Sequence, residues 1–272
     1  MPLKLAYVVA TPDLKVPEGG MVFQGNFSES FSLLKKHDFD GMEMMVRDPS
    51  ELNLDEIERL SRSFGIEIPV ICTGEIYGRD RISFMDPVED IRLEALSRTR
   101  AVIRLAAVFG AKVNIGRLRG KYYSHIPKEI SEEWMYSAFA RISEFAEEKD
   151  VILVLEPATH VYTNCITSTQ EGVEVVKRVG SENFRLMTDL FHMNLEDESM
   201  EEGFSKASPY LEHIHLCDSN RCPPGMGVFD FPMIMDLIKD TGYDGYVSAE
   251  VFQEPDQYSA IEMTSKALRP LL

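Results

Sequence analysis

Short apolar runs and amphipathic stretches alternate along the whole chain. Eight runs have the length and composition of buried β-strands, namely LKLAYVV (3–9), GMEMMV (41–46), EIPVICT (67–73), AKVNIG (111–116), VILVLE (151–156), FRLMTD (184–189), LEHIHL (211–216) and YVSAEV (246–251). Between them, apolar residues recur at helical spacing, as in LDEIERLSRSFG and EEWMYSAFARISEFAEEK. This alternation predicts a parallel sheet covered by helices, and eight units in 272 residues favour a closed (β/α)8 TIM barrel over an open sheet. We expect one such domain over residues 1–272.

Residues that begin and end helices support this segmentation. Glycine best tolerates the left-handed conformation just after a helix, and it follows four predicted helices, at Gly65, Gly110, Gly180 and Gly242. Asp86 with Pro87 predicts a helix start, as does Ser168 with Glu171 three residues later. No GxGxxG or phosphate-loop motif follows the first strand, so the usual nucleotide-binding α/β folds are not indicated.

Four consecutive predicted strands end in a side chain that binds divalent metals. Glu156 ends the fifth strand, Asp189 the sixth, His215 the seventh and Glu250 the eighth. The carboxyl ends of barrel strands form one face, where enzymes of this fold carry their active sites. A single acid or histidine at a strand end would be interpreted as a side chain hydrogen-bonded to water. Four at successive strand ends predict one shared metal site. Three carboxylates and one imidazole suit a single divalent ion, Mn²⁺, Co²⁺, Mg²⁺ or Zn²⁺.

Further polar residues follow the same strand ends. His192, three residues after the sixth-strand ligand, can reach the same mouth across a turn. Arg221 lies in the loop after the seventh strand, where its planar guanidinium suits a substrate hydroxyl or carboxylate. His213 shares the strand parity of the seventh-strand ligand, which predicts an inward side chain one layer deeper that packs or supports rather than ligates. Arg47 and His160, in the loops after the second and fifth strands, are weaker candidates for substrate contacts.

The chain is strongly acidic, with 45 Asp and Glu residues against 28 Lys and Arg and a formal net charge of −17. This charge repels phosphate backbones, so we expect no nucleic-acid partner. No window approaches the roughly 18 apolar residues of a membrane span, and the first residues are typical of a strand rather than a signal peptide. The four cysteines do not make a disulfide framework, so we expect reduced thiols in the cytoplasm.

Four segments that contain the candidate residues resemble one enzyme superfamily. They are LEP (155–157), TDLFHMN (188–194), HIHLCDSNR (213–221) and SAEV (248–251). In order, spacing and context they are similar to the xylose-isomerase-like TIM barrels, and within them to the ketose 3-epimerase group, which includes the D-tagatose 3-epimerases. The resemblance covers essentially the whole chain. VRDP (46–49), DSNRCPPG (218–225) and GVFDF (227–231) are particularly similar to the branch that epimerises 5-keto-L-gluconate, a keto sugar acid.

The resemblance implies an epimerase that inverts C3 of a ketose or keto sugar acid through an enediolate. In this group one divalent metal, for which we expect Mn²⁺ first, is held by the equivalents of Glu156, Asp189, His215 and Glu250. The two glutamates among them form the proton-transfer pair, and the equivalents of His192 and Arg221 contact the substrate. Related barrels often form dimers or tetramers, so a homo-oligomer is an open expectation. The group usually has a further glutamate six positions after the first metal glutamate; here Tyr162 stands there, which leaves substrate and reaction open.

Three other functions remain as alternatives. An aldose–ketose or hydroxypyruvate-type isomerase would use the same metal and enediolate but deliver the proton to a different carbon, and the sequence barely separates the two. An apurinic-site endonuclease on this barrel would need extra histidines after the third and fourth strands, where CTGEIYGRD (72–80) and IGRLRGKYY (115–123) contain none. A sugar or metal sensor would need a partner-binding surface or an appended domain, and the barrel accounts for the whole chain.

Overall fold

The computed structural model describes residues 2–17 and 20–272. The strands are Lys4–Ala10 (β1), Phe23–Gln24 (β2), Gly41–Met45 (β3), Val70–Cys72 (β4), Lys112–Ile115 (β5), Leu153–Leu155 (β6), Phe184–Asp189 (β7), Leu211–Leu216 (β8) and Tyr246–Ala249 (β9). The α-helices are Phe27–Lys36 (α1), Leu54–Phe64 (α2), Gly74–Asp80 (α3), Glu89–Phe109 (α4), Lys128–Glu147 (α5), Thr169–Val179 (α6), Leu190–Glu196 (α7), Met200–Ala207 (α8), Phe231–Asp240 (α9) and Gln257–Leu268 (α10). Short 3-10 helices occupy Pro49–Glu51, Arg117–Arg119, Ser208–Tyr210 and Arg269–Leu271.

A closed barrel is formed by β1 and β3 to β9. Each strand pairs in parallel with the next, and β1 also pairs with β9, from Lys4 opposite Tyr246 to Tyr7 opposite Ala249, which closes the ring. The short β2, which the sequence pattern did not predict, pairs with the end of β1. All eight predicted strands are present, and the predicted (β/α)8 TIM barrel is confirmed.

The apolar runs are explained by burial on both faces of the barrel strands. In β3, for example, every residue of the run GMEMM is buried. A parallel strand packs against the barrel interior on one face and the surrounding helices on the other, so it lacks an exposed polar face. The helices instead bury one stripe, as α2 does with Ile57 and Leu60. Within the described residues, no helix has the length and apolarity needed to cross a membrane.

Most predicted helix boundaries are confirmed, and one is wrong. Gly65, Gly110 and Gly180 follow α2, α4 and α6 in the left-handed conformation. The Ser168 hydroxyl accepts a hydrogen bond from the Glu171 backbone N–H at the start of α6. The start predicted at Asp86 and Pro87 lies too early, since α4 begins at Glu89. The Asp86 carboxylate accepts the backbone N–H of residue 88 at 2.9 Å, so it closes a turn before the helix instead of capping it.

Arg119 fastens two loops at the carboxyl end of the barrel. Its side chain is fully buried, and its guanidinium donates to four backbone carbonyl oxygens, those of Gly116 (2.7 Å), Glu156 (2.9 Å), Cys165 (3.0 Å) and Ile166 (3.0 Å). Burial lowers the pKa of Arg119 from its usual value. The loop after β5 is therefore tied to the loop after β6, which carries Glu156.

We predict that Arg119→Met destabilises the fold. The substitution keeps an apolar stem but removes the guanidinium from four carbonyl oxygens. Those of Gly116 and Ile166 keep a backbone N–H donor, from residue 119 and from Ala158. Those of Glu156 and Cys165 lose a buried hydrogen bond, which should cost about 2 kcal/mol or more. Urea unfolding followed by circular dichroism measures the free energy. The same change at Arg141, which is exposed on α5, is the matched control and should alter it by less than about 0.5 kcal/mol. Equal unfolding midpoints for the two variants would contradict this role of Arg119.

Candidate metal centre

Four candidate ligands meet at the carboxyl end of adjacent strands. Asp189 is the last residue of β7, His215 lies in β8, and Glu156 and Glu250 directly follow β6 and β9. The register sets Asp189 opposite His215, and His215 opposite Ser248. All four side chains are buried, and one donor atom from each lies within 4.8 Å of the others. The side chains that the sequence assigned to one site thus lie together.

The imidazole of His215 is aimed at the three carboxylates. Its Nδ1 atom lies 3.5 Å from Glu156 Oε1, 3.7 Å from Asp189 Oδ2 and 3.7 Å from Glu250 Oε2. This nitrogen is buried and has no hydrogen-bond partner of acceptable geometry among the residues that the structure describes. Burial lowers the pKa of His215, but Glu43, Asp189 and Glu156 raise it well above the ordinary value. The centre therefore favours the binding of positive charge. Its three oxygens and one nitrogen are a ligand set that fits a divalent metal ion.

Two neighbouring side chains hold the carboxylates in place. Asn114, on β5, donates its amide to Glu156 Oε2 at 3.0 Å, which leaves Oε1 towards His215. Arg221 donates through Nη2 to Asp189 Oδ2 at 3.2 Å and forms a closer ion pair with Glu250 Oε2. The remaining donors of Arg221, Nε and Nη1, are buried and have no hydrogen-bond partner in residues 2–17 and 20–272. These atoms are available to a ligand that enters the site.

The two glutamates have different electrostatic environments. Burial raises the pKa of both carboxyls. At Glu156 the close approach and charge of His215 outweigh burial, so its pKa lies below the usual value. At Glu250 burial outweighs Arg221 and His215, so its pKa lies above the usual value. Two carboxyls whose pKa values are displaced in opposite directions can serve as a base and an acid in one reaction.

Asp218 organises the loop that carries Arg221. Its carboxylate accepts backbone N–H groups from Ser219 (2.7 Å), Gly225 (2.8 Å) and Phe229 (3.2 Å). These backbone hydrogen bonds oppose burial and lower the pKa of Asp218. Arg221 itself has a φ of 62°, the left-handed region that non-glycine residues seldom adopt. The loop therefore holds Arg221 in a strained conformation, as is common for residues at functional sites.

An open pocket leads from solvent to these carboxylates. Its polar wall is formed by Arg117, Glu156, Tyr162, His192, Arg221 and Glu250, and its apolar wall includes Met21 and Met45. His192 is buried, and its Nδ1 has no hydrogen-bond partner. The Tyr162 ring lies 5.8 Å from the His192 ring and 5.7 Å from Cζ of Arg221. Tyr162 is thus part of the same wall as the two predicted substrate-contacting residues.

The weaker candidates lie apart from the pocket lining. The Arg47 guanidinium pairs with Asp80, and the His160 ring contacts Glu196 and is 70% exposed. Both side chains are engaged with neighbours on the rim of the barrel. Their position after a strand was therefore a poor guide, because a long loop can turn its first residues away from the mouth.

Sequence reasoning did not single out three residues that the structure brings to the site. Glu43 accepts hydrogen bonds from His213 and His215, Asn114 holds Glu156, and Arg117 lines the pocket. A polar residue inside an apolar strand was a signal for the first two, since an unpaired polar group is costly there. For Arg117 the sequence contains no comparable signal, because an arginine in a loop is usually exposed.

Comparison with known proteins assigns the fold to a family. The sequence model of the Xylose isomerase-like TIM barrel family matches residues 31–269. The chain belongs to this family. A probable ketose 3-epimerase of Synechocystis sp. is 26% identical over 242 residues, 86% of this chain and 82% of that protein. A D-psicose 3-epimerase of Ruminiclostridium cellulolyticum is 32% identical over 211 residues, 75% of this chain and 69% of that protein.

Solved structures of the family share the complete fold with this chain. The D-psicose 3-epimerase from Clostridium cellulolyticum H10, solved with D-tagatose, superposes with a TM-score of 0.83 at 21% identity, over 99% of this chain and 98% of that one. The 3-keto-D-glucoside 4-epimerase of E. coli gives a TM-score of 0.81 at 19% identity, over 99% and 98%. The sequence relatives are sugar epimerases and isomerases, and this xylose-isomerase-like barrel is an enzyme of the isomerase class.

Proposed function

We propose that this protein is a metal-dependent sugar epimerase that inverts C3 of a ketose or keto sugar acid through an enediolate. The observation that carries the proposal is the cluster of Glu156, Asp189, His215 and Glu250 around the partnerless Nδ1 of His215, at the base of an open pocket. Relatives named as ketose, D-psicose and L-ribulose 3-epimerases support the reaction. Relatives named as 4-epimerases make the carbon that reacts the point to test.

The four clustered side chains would hold one divalent ion. Mn²⁺ is our first choice, with Co²⁺, Mg²⁺ or Zn²⁺ as alternatives suited to the same oxygen-rich set. When bound, such an ion supplies a Lewis acid that polarises a substrate carbonyl and stabilises the negative charge of the enediolate. The pairing of Asp189 and Glu250 with Arg221 keeps their oxygens directed to the common centre.

The proton transfer is assigned to the two glutamates. Glu156 accepts the proton from C3 on one face of the sugar, and the electron pair of the broken C–H bond enters the enediolate. Glu250 donates a proton to C3 on the other face, which inverts the configuration and returns the electron pair to the new C–H bond. The reverse reaction exchanges the two roles, and solvent restores the starting protonation of the pair.

Arg221 and His192 are suited to orient the sugar. The buried, partnerless Nε and Nη1 of Arg221 and Nδ1 of His192 face a pocket that reaches Glu156 and Glu250. A sugar hydroxyl can donate and accept hydrogen bonds, so it can partner each of these atoms. Tyr162 would contribute an aromatic face beside them in place of a carboxylate.

We predict that deuterium from solvent enters C3 during turnover. With Mn²⁺ in heavy water, a series of ketoses and keto sugar acids followed by NMR should show epimers labelled at C3, because the glutamate protons exchange with solvent. Removal of the metal by a chelator should abolish the reaction and added Mn²⁺ should restore it. Label at another carbon would indicate a 4-epimerase or an aldose–ketose isomerase. Product without label would contradict proton transfer and favour a hydride shift.

We predict that Glu156→Gln and Glu250→Gln each lower epimerisation about 1,000-fold or more, within the range for loss of an acid–base group. Each variant keeps one functional carboxylate, so each should still exchange the C3 proton of one epimer, and the two variants should differ in which epimer they label. Saturating Mn²⁺ compensates for weaker ligation. Glu174→Gln, an exposed change on α6, is the control. Near-normal turnover in either site variant would refute its assigned role.

Arg117 supports a substrate with a negative charge. Its guanidinium lines the pocket and donates through Nη2 to Gly74 O (3.2 Å) and Glu75 Oε1 (2.9 Å). Glu75 also pairs with Arg79, so its single carboxylate is shared by two arginines and compensates only part of the charge of Arg117. A keto sugar acid whose carboxylate extends away from the metal ligands would meet this charge.

We predict that Arg117→Leu discriminates between substrate classes. Loss of a charge-assisted hydrogen bond should lower kcat/KM for a keto sugar acid roughly tenfold or more. For a neutral ketose, kcat/KM should stay within about threefold of the native value. Arg47→Leu removes a charge from the rim without touching the pocket and is the matched control. If Arg117→Leu lowered kcat/KM equally for both substrate classes, Arg117 would act through the structure of the loop and not through the substrate carboxylate.

We also propose a substrate class, a compartment and an oligomeric state for this protein. The net charge of −17 favours a small-molecule substrate over nucleic acid. The cysteines are free thiols in the structure, which is in keeping with a cytoplasmic enzyme. A homo-oligomer, as the resemblance suggests, can be tested by sedimentation.

A further inference from the structure

A carboxylate below the candidate metal centre holds two histidines at once. Glu43 lies in β3 and is fully buried. Its Oε2 accepts the His213 Nε2–H at 2.8 Å, and its Oε1 accepts the His215 Nε2–H at 3.0 Å. β3 and β8 are not neighbours in the sheet, so these contacts cross the barrel interior. Glu43 therefore connects one side of the barrel to the strand that delivers His215.

The chemistry of the carboxylate determines which nitrogen of each ring carries the proton. An ionised carboxylate only accepts hydrogen bonds, so each imidazole that contacts it must present an N–H there. Both oxygens of Glu43 lie within hydrogen-bond distance of an imidazole Nε2, so a His215 that binds an ion through Nδ1 carries its remaining proton on Nε2. Its lone pair is then on Nδ1, the atom that faces the three carboxylates.

We propose that Glu43 is a positioning residue for the metal ligand His215. It holds the Nε2–H and the orientation of the ring, so that Nδ1 faces the site of the ion. His213 occupies the second oxygen of Glu43 and thereby orients the carboxylate. The inference rests on the metal site of the proposed function, and it adds a residue that makes no contact with the ion.

A second ion between Glu43, His213 and His215 is the competing explanation, since their donor atoms also form a compact group. The two groups differ in one respect. In this deeper group, each nitrogen and oxygen that could bind an ion is already hydrogen-bonded. Nδ1 of His215, on the other side of the ring, has no hydrogen-bond partner among the described residues. The hydrogen-bonded arrangement thus satisfies the deeper group without a cation.

The decisive experiment measures Mn²⁺ binding by titration calorimetry in four forms of the full chain. Native protein should bind one ion. Glu43→Met removes both acceptors and should weaken binding about 10- to 100-fold, the range found for loss of such a supporting carboxylate. In Glu43→Gln the amide oxygen still accepts from His215 while His213 shifts its proton to accept from the amide N–H₂, so binding should stay within about fivefold of native. His213→Gln keeps a donor for Glu43 and should also stay within about fivefold.

The tautomer can be observed without any substitution. In native protein labelled with ¹⁵N-histidine and loaded with diamagnetic Zn²⁺, two-bond ¹H–¹⁵N correlations should show His215 with its proton on Nε2. A proton on Nδ1 would overturn the inference even if Glu43→Met fails to fold, which circular dichroism reports.

Several outcomes would overturn the inference. A proton on Nδ1 of His215 in the loaded protein would do so, as would equal Mn²⁺ affinity in native and Glu43→Met. A loss in His213→Gln as large as in Glu43→Met would indicate general disturbance of the core. Two ions per native chain would favour the second-ion explanation. If native protein bound no divalent ion, the proposed function would fail as well. If native protein bound Mn²⁺ tightly and Glu43→Met bound it equally tightly, only the role of Glu43 would be refuted.

Discussion

Buried negative charge at the carboxyl end of the barrel is the constraint on which the rest of the site depends. Four carboxyl groups are buried within a few ångströms of His215, those of Glu43, Glu156, Asp189 and Glu250. An ionised carboxylate is rarely buried without compensation. The imidazoles of His213 and His215 compensate Glu43, but Arg221 supplies too little positive charge for the other three carboxyls. The divalent cation proposed for this site would resolve the imbalance, and the same imbalance favours the binding of positive charge there.

The part of this arrangement that depends on strand order was predictable from sequence. In a parallel barrel, the residue after each strand reaches the same face, so a ligand at four consecutive strand ends implies proximity in space. No knowledge of side-chain packing is needed for that step. Asp189 and His215 lie opposite one another in the register, and Glu156 and Glu250 follow the strands on either side. The barrel itself was predictable for the same reason, because eight periodic segments leave few other topologies.

The supporting residues were not predictable, because their partners lie far away in sequence. Glu43 and His213 are separated by 170 positions, and Asn114 and Glu156 by 42. Within GMEMM an acidic residue signals only that a partner is needed, and nothing in the run identifies it. Arg119 was harder still, because a buried arginine satisfied by backbone carbonyls has no acidic partner to suggest its burial. The helix start at Asp86 failed because the same aspartate pattern closes turns as well as capping helices.

The residues proposed for the chemistry lie at strand ends, whereas the residues that would contact the rest of the substrate lie in loops. The proposed ligands and proton carriers lie at or directly after rigid strands, and their geometry follows from the barrel. The outer wall of the pocket comes from Arg117, Tyr162 and the loop of Arg221, which are held by local contacts such as those of Glu75 and Asp218. Substitution in these loops can change the charge of the pocket without moving the strand ends. Tyr162 sets an aromatic ring against Arg221 and His192 in this wall. Membership of the family therefore constrains the proposed chemistry more strongly than it constrains the sugar.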